Sequence, residues 1–285
     1  IRRLIRQRVL DSQRLLGLFY LIAVDGSGIY VFRKRHCKHC LTKTTNGKTL
    51  YYHMVLEAKL VTPNGFCLSI MTEFIENPGA SPSKQDFETK AFLRLAPRLK
   101  EAFPHLPIAL LMDGMFAEGP IIAICKKYRW KFLIVLKDLD LPTVNQEFSS
   151  LRGLEAEQTL TRQIEGIRQV FTWVKGITFR DTKAREHSLN VLECLETDTE
   201  TKKYKWIINF EITKEIVGQL ALGGRCRWGI ETGFDLQKNH GYALEHPYSK
   251  DYTGMKVYYY LLQISHIWIQ LVERGNWLKN SYRRD

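Results

Sequence analysis

Along the chain, apolar runs with the period of strands alternate with runs of helical period. Leu18 to Val24 is a continuous apolar run and predicts a buried strand. Asp25-Gly26-Ser27-Gly28 predicts a turn after it, with Ile29 to Phe32 opening a second strand. A polar, cysteine-containing loop follows and closes at Asn46-Gly47, a dipeptide that tolerates the positive φ of a tight hairpin. Tyr51 to Val61 and Phe66 to Phe74 flank the turn Pro63-Asn64-Gly65 and complete an antiparallel meander. After a loop at 77–82, Phe87, Ala91, Phe92, Leu95 and Leu99 form one face of a helix running from Ser83 towards Phe103. Pro97 is expected to kink or interrupt it. A strand at 108–112, a helix at 118–128, a strand at 130–136 and a helix at 142–152 come next. Strand-like segments at 164–174, 189–196 and 204–212 then crowd together. The remainder is helical, with one helix through Glu231 and another from 252 to 279.

Three strands, then helix, strand, helix, strand, predict an α/β fold: a mixed sheet flanked by helices. Residues 1–14 read as a basic amphipathic helix, and 1–17 as a linker left from a region preceding Ile1. The expected organisation is one domain built from 18–152 and 213–285, with 153–212 as a β-rich insertion before the helix of Glu231.

Composition sharpens this picture. The 285 residues are 45% hydrophobic, enough for a full core. Forty-two Lys and Arg against 30 Asp and Glu give a net charge of +12, which favours a polyanionic partner such as nucleic acid or an anionic membrane surface. The apolar stretch 257–272 is too short and too polar for a membrane span, so no membrane partner is expected. Six scattered cysteines in a chain of this length fit a reducing cytosol rather than a disulfide framework.

Against this basic background three acids stand out. Asp25 and Asp113 each end a buried apolar run and are each followed by glycine. Carboxylates in such places are costly unless paired, hydrogen-bonded or bound to a cation. Glu231 lies on a helical stretch with Arg227 before it and Lys238 after it, which places all three on one helical face. If the three acids converge, a divalent ion must neutralise them. Mg²⁺ suits the task because it accepts a few carboxylates and keeps positions open for water and phosphate. Two such ions would activate an attacking oxygen and stabilise a leaving one.

The segments Val24-Asp25-Gly26-Ser27-Gly28, Leu111-Met112-Asp113-Gly114 and Arg225-Cys226-Arg227-Trp228-Gly229-Ile230-Glu231-Thr232-Gly233-Phe234-Asp235-Leu236-Gln237-Lys238 carry a family resemblance. The chain resembles the catalytic domain of DDE transposases of bacterial insertion sequences, in the branch with a Tyr-Arg-Glu-Lys signature, over roughly residues 18 to 270. Arg227, Glu231 and Lys238 match that signature, and its Tyr falls on Gly224. The resemblance implies a ribonuclease-H-like fold with an insertion before the last acidic helix. It implies Asp25, Asp113 and Glu231 as catalytic metal ligands for Mg²⁺, with Mn²⁺ able to substitute. It implies DNA, both transposon ends and target, as partner, and a homodimer on DNA in a bacterial, nucleoid-associated cytoplasm. Arg225, Arg227, Trp228, Lys238 and His240 are the expected DNA contacts. The competing readings are a ribonuclease-H-like nuclease that hydrolyses without strand transfer and an inactive DNA-binding derivative.

Two further features are read more plainly. His36-Cys37-Lys38-His39-Cys40, with His53 beyond, resembles half a zinc site, but no second Cys-x-x-Cys completes it, which favours a surface loop or hairpin tip. Asp86 and Glu88 fall in the first turn of a helix, where acids complement the macrodipole without any catalytic role.

Overall fold

The computed structural model describes residues 1–79, 84–154 and 156–274. In chain order the elements are helix α1 (Arg2–Arg6), strands β1 (Tyr20–Phe32), β2 (Leu41–Thr45), β3 (Lys48–Val61) and β4 (Cys67–Ile75), helix α2 (Glu88–Ala102), strand β5 (Ile108–Met112), helix α3 (Gly119–Tyr128), strand β6 (Lys131–Val135), helix α4 (Pro142–Leu151), strands β7 (Thr159–Ile164), β8 (Ile167–Arg180), β9 (Glu186–Thr197) and β10 (Thr201–Ile208), and helices α5 (Val217–Arg225), α6 (Trp228–Asn239) and α7 (Tyr252–Arg274). The fold is α/β, with a large mixed sheet flanked by helices. No helix among the described residues is long and apolar enough to cross a membrane.

Two compact units divide the chain. The first comprises Ile1–Arg6, Ala23–Pro104 and Trp228–Asp285. Its strands run in the order β2-β3-β1, with β4 also antiparallel to β3. Helix α2 packs on β4 through Ala91, Phe92, Leu95, Ala96 and Leu99, all buried. Pro97 lies inside α2 and does not end it. Its ring and Leu93, whose carbonyl loses its donor, are both on the exposed side, where water can serve the carbonyl.

The second unit comprises Gln7–Ile22 and His105–Arg227. Its strand order is β5-β6-β10-β9-β8-β7, with β5 and β6 parallel and the rest antiparallel. All five residues of β5 are buried, as expected for a parallel strand covered on both faces. The start of β1 joins this unit, where the Tyr20 N–H donates to the Pro107 carbonyl at 2.9 Å. Strands β7 to β10 are continuous with β6 through the β6–β10 ladder. This grouping differs from the expected one, in which 153–212 stands apart from 18–152 and 213–285.

Several local expectations are corrected. Asp25-Gly26-Ser27-Gly28 makes no turn; β1 is one thirteen-residue strand that runs through it. Neither Gly26 nor Gly28 takes a positive φ. The N-terminal helix covers only Arg2–Arg6, because Arg8 turns left-handed at φ 58°. The segment read as a strand at 164–174 contains a hairpin turn: Ile164 ends β7, Glu165 and Gly166 turn at φ 51° and 85°, and 167–174 is strand as expected, within β8. Strand β10 stops at Ile208 because the Asn209 side chain takes over, accepting from the Phe132 N–H at 2.8 Å and donating to the Trp130 carbonyl at 3.0 Å. Glu231 lies in α6, but Arg227 precedes that helix, in the turn after α5. The loop 33–40 is not a bare surface loop: Cys40 is fully buried. Residues 80–83 of the expected loop and helix start, and 275–279 of the last expected helix, lie outside the described residues.

Candidate functional site

In the first unit, Asp25 lies in the middle of β1 after the fully buried Ile22, Ala23 and Val24. It is half-buried, and its Oδ1 accepts from the Gly26 N–H at 2.9 Å. The lack of a side chain at Gly26 has a local reason. A Cβ there would overlap the carboxylate of Glu88, which opens α2. Glu88 therefore stands against the backbone next to Asp25, beyond the macrodipole role read from its position. Asp86 is tied elsewhere, ion-paired with Arg94 at 2.7 Å.

Glu231, in the first turn of α6, is half-buried too. The helix is seated on β3 and β4 by small residues: a Cβ at Gly233 would lie 2.6 Å from Cys67 Sγ, and one at Gly229 would lie 3.4 Å from Val61. Trp228 is 58% exposed at the start of this helix. Lys238 is ion-paired with Glu245 at 2.8 Å, and His240 lies 3.4 Å from Asp235.

In the second unit, Asp113 follows β5 directly and leads into a short 3-10 turn, with the Phe116 N–H donating to its carbonyl at 3.0 Å. Its Oδ2 lies 2.9 Å from Lys137 Nζ. Partial burial alone would raise the Asp113 carboxyl, but the Lys137 ammonium, the Gly114 N–H and the charges of Lys137 and Arg227 together hold it below the usual carboxylate range. Arg227 is buried in this unit, and its charge is felt by both Asp113 and Lys137. The second unit thus gathers Asp113, Lys137 and Arg227. Sequence reasoning missed Lys137. The link lies in the strand pairing: β5 and β6 are parallel neighbours, Met112 opposite Ile134, with Asp113 directly after β5 and Lys137 two residues past the end of β6.

Arg225 is engaged away from this group. Its guanidinium pairs with Glu196 at 2.7 Å and lies 5.2 Å from the Tyr204 ring centroid. Gly224, where the Tyr of the signature would fall, faces Trp206: a Cβ there would sit 2.6 Å from the indole Cε2. The indole, stacked on Tyr204 at 6.0 Å, already fills the space a side chain would need. Gly224→Tyr is accordingly expected to lower stability by about 1–3 kcal/mol or more, through overpacking. A urea melt checks this, and adding Trp206→Ala should restore part of the loss.

Asp25, Asp113 and Glu231 offer only carboxylate oxygens from half-buried positions, a donor set that suits Mg²⁺ or Mn²⁺ and not a thiophilic ion. At Asp113 a cation would take Oδ1 or displace the Lys137 ammonium from Oδ2. Asp25 and Glu231 fall in the first compact unit and Asp113 in the second.

No family model matches the chain, and no curated protein matches it. Among solved structures it is similar to the NurA nuclease from Sulfolobus solfataricus, at 10% identity and a TM-score of 0.34, over 97% of this chain and 93% of that one.

Proposed function

We propose that this chain is a DNA transposase of the DDE type, on a ribonuclease-H-like framework, with Asp25, Asp113 and Glu231 as its metal-holding acids. The observation that carries the reading is Asp113: an ionised carboxylate at the end of a wholly buried parallel strand, set among the charges of Lys137 and Arg227. The signature-like run from Arg227 through Glu231 to Lys238 and the net charge of +12 support it further.

Two Mg²⁺ ions, when bound, would supply activation of the attacking oxygen and charge neutralisation at the leaving one. The chain's own residues have separable tasks. The planar fork of Arg227 suits bidentate contact with a phosphate. Lys238 adds a point charge for the neighbouring phosphate once its exposed pairing with Glu245 is exchanged. Trp228 presents an exposed aromatic face on which an unpaired base can stack. In the first step water forms a bond to phosphorus and the 3′-oxygen leaves, taking a proton. In the second, that 3′-hydroxyl attacks a target phosphodiester and displaces another 3′-oxygen.

The test uses short duplexes from the DNA flanking the coding sequence, supplied with a free 3′-hydroxyl, together with a plasmid target and Mg²⁺. The expected products are covalently joined molecules that require the metal. Cleavage without joining would replace this reading with a hydrolytic nuclease, and binding without cleavage would replace it with an inactive DNA-binding derivative.

A further inference from the structure

The segment that leaves β1 brings together side chains that neither the acids nor the DNA contacts use. His36, Cys37, Cys40 and His53 each point one ligand atom into a common space, with all four atoms within 4.8 Å of one another. Cys37 Sγ lies 3.6 Å from Cys40 Sγ and 3.5 Å from His53 Nε2. Cys40 Sγ lies 3.6 Å from His53 Nε2, which is 3.1 Å from His36 Nε2.

These four separations correspond to four of the six edges of a tetrahedron, and the remaining two, from His36 to the cysteine sulfurs, lie within 4.8 Å. With zinc–sulfur bonds of about 2.3 Å and zinc–nitrogen bonds of about 2.0–2.1 Å, a regular tetrahedral centre has an S···S edge near ~3.8 Å, S···N edges near ~3.6 Å and an N···N edge near ~3.4 Å. The observed set follows the same order, longest where sulfur is involved and shortest between the nitrogens. A disulfide does not account for it, since bonded sulfurs lie about 2.05 Å apart.

The surrounding chain fixes the ligands from three sides. His53 comes from β3 and is buried, and Cys40 immediately precedes β2, which pairs with β3 through Leu41 and Tyr52. Asn77 holds the turn between the cysteines: its side chain donates to the Cys40 carbonyl at 2.9 Å, and its own carbonyl lies 2.9 Å from His39 Nδ1. His39 is not among the converging ligands: its Nδ1 meets the Asn77 carbonyl and its ring stacks on Tyr252 at 4.3 Å. The His36 ring rests edge-on against Phe32 at 4.1 Å, at the end of β1.

We propose that His36, Cys37, Cys40 and His53 form a structural Zn²⁺ site that staples the end of β1 to the β2–β3 hairpin. Two sulfurs and two imidazole nitrogens in this arrangement select Zn²⁺ over hard ions such as Mg²⁺. Four protein ligands leave no open position, so the role is structural and not catalytic. On binding, Cys37 and Cys40 each lose a thiol proton to solvent, two S–Zn bonds form, and the two imidazoles bind in their neutral form. The dipositive ion and two thiolates leave the centre with no net charge. The staple would also fix the basic stretch Arg33, Lys34, Arg35 and Lys38, which is otherwise a short connection without regular structure.

The sequence hid this site because its halves are unlike. Cys37 and Cys40 make an ordinary Cys-x-x-Cys turn, but the other two ligands are a histidine directly before it and one on the next long strand.

The test measures metal in the full chain after purification without added zinc and exhaustive dialysis. About one Zn²⁺ per chain is expected, released in proportion when a mercurial reagent titrates the thiols. The Co²⁺-exchanged protein should show the intense visible bands of tetrahedral cobalt and a thiolate charge-transfer band. Cys40→Ser should lower the zinc content towards zero, whereas Cys226→Ser should leave it unchanged. None of these readouts depends on DNA cleavage, so they stand or fall apart from the transposase reading. A wild-type chain carrying no zinc, an octahedral cobalt spectrum, a Cys37–Cys40 disulfide by mass, or equal loss from Cys226→Ser would each overturn the site. The mercurial and cobalt measurements use the wild-type chain, so they decide the matter even if Cys40→Ser does not fold.

Discussion

Asp113→Asn is expected to reduce metal-dependent DNA cleavage on the order of a thousandfold or more, the scale on which losing one group that stabilises transition-state charge acts. The argument rests on the charge state. Lys137, the Gly114 N–H and the charge of Arg227 hold the Asp113 carboxyl below its usual range, so it is ionised throughout the neutral region. The amide is nearly isosteric and removes a full negative charge and an anionic ligand atom. It costs the fold little. The Lys137–Asp113 pair has its lysine 59% exposed, and pairs of that kind contribute about 0–1 kcal/mol. Asp25→Asn should behave alike, since the carboxylate oxygen that accepts from the Gly26 N–H is replaced by an amide oxygen able to accept the same bond. Single-turnover cleavage at saturating Mg²⁺, with a urea melt of each variant, makes the measurement. A folded Asp113→Asn enzyme within about tenfold of wild type would remove Asp113 from the metal-holding set.

The parts of this fold that could be read in advance are those where one physical requirement dominates. The buried run Ile108–Met112 has a single use, as a strand covered on both faces, and β5 spans those residues. Asn46 and Gly47 adopt φ of 51° and 70°, the pair of positive angles that a two-residue hairpin turn demands. Legibility fails where two requirements compete for the same residues. Gly26 and Gly28 read as turn glycines, yet Gly26 is there to admit the Glu88 carboxylate, and the strand continues. Glu165-Gly166 makes a hairpin as tight as Asn46-Gly47, but glutamate gives no sign of accepting a positive φ.

The candidate site was legible to a similar depth. Asp25 and Asp113 could be picked out because an acid ending an apolar run needs a reason, and Glu231 because Arg227 and Lys238 flank it along one helical stretch. Lys137 could not, because a lysine after a strand needs none until the neighbouring strand is known. The same holds for Gly224, whose bareness is explained by Trp206, a residue on β10. Information of this kind lies in strand pairing and is absent from local sequence.

The largest feature that the pattern concealed is a buried polar layer in the first unit, and it leads to the strongest stability prediction. Glu57 and Lys59 alternate with apolar residues on β3, yet both are fully buried. Glu57 accepts from Ser69 at 2.6 Å, from Tyr259 at 2.9 Å and from Thr72. Lys59 donates to Gln237 at 3.3 Å and lies 4.2 Å from the Phe234 ring centroid, both residues of α6. Burial pushes the Glu57 carboxyl up, against the charge of Lys59 and the hydroxyl donors, and pushes the Lys59 amine down, against Cys67 and Glu57. Each group thus favours the charged form of the other. Glu57→Leu leaves two buried hydroxyls, of Thr72 and Tyr259, and the half-buried one of Ser69 without their acceptor, and Lys59 without its counter-charge, so a loss of about 3–5 kcal/mol is expected. Lys59→Met keeps the shape and removes a buried amine, while Gln237 Oε1 retains the Gln263 amide at 3.1 Å. Combined with Glu57→Leu, it should therefore cost less than the two single losses added, with a coupling of about 0.5–3 kcal/mol. Urea melts of the four proteins in this cycle give the answer. Strict additivity would mean that Glu57 and Lys59 do not sense one another.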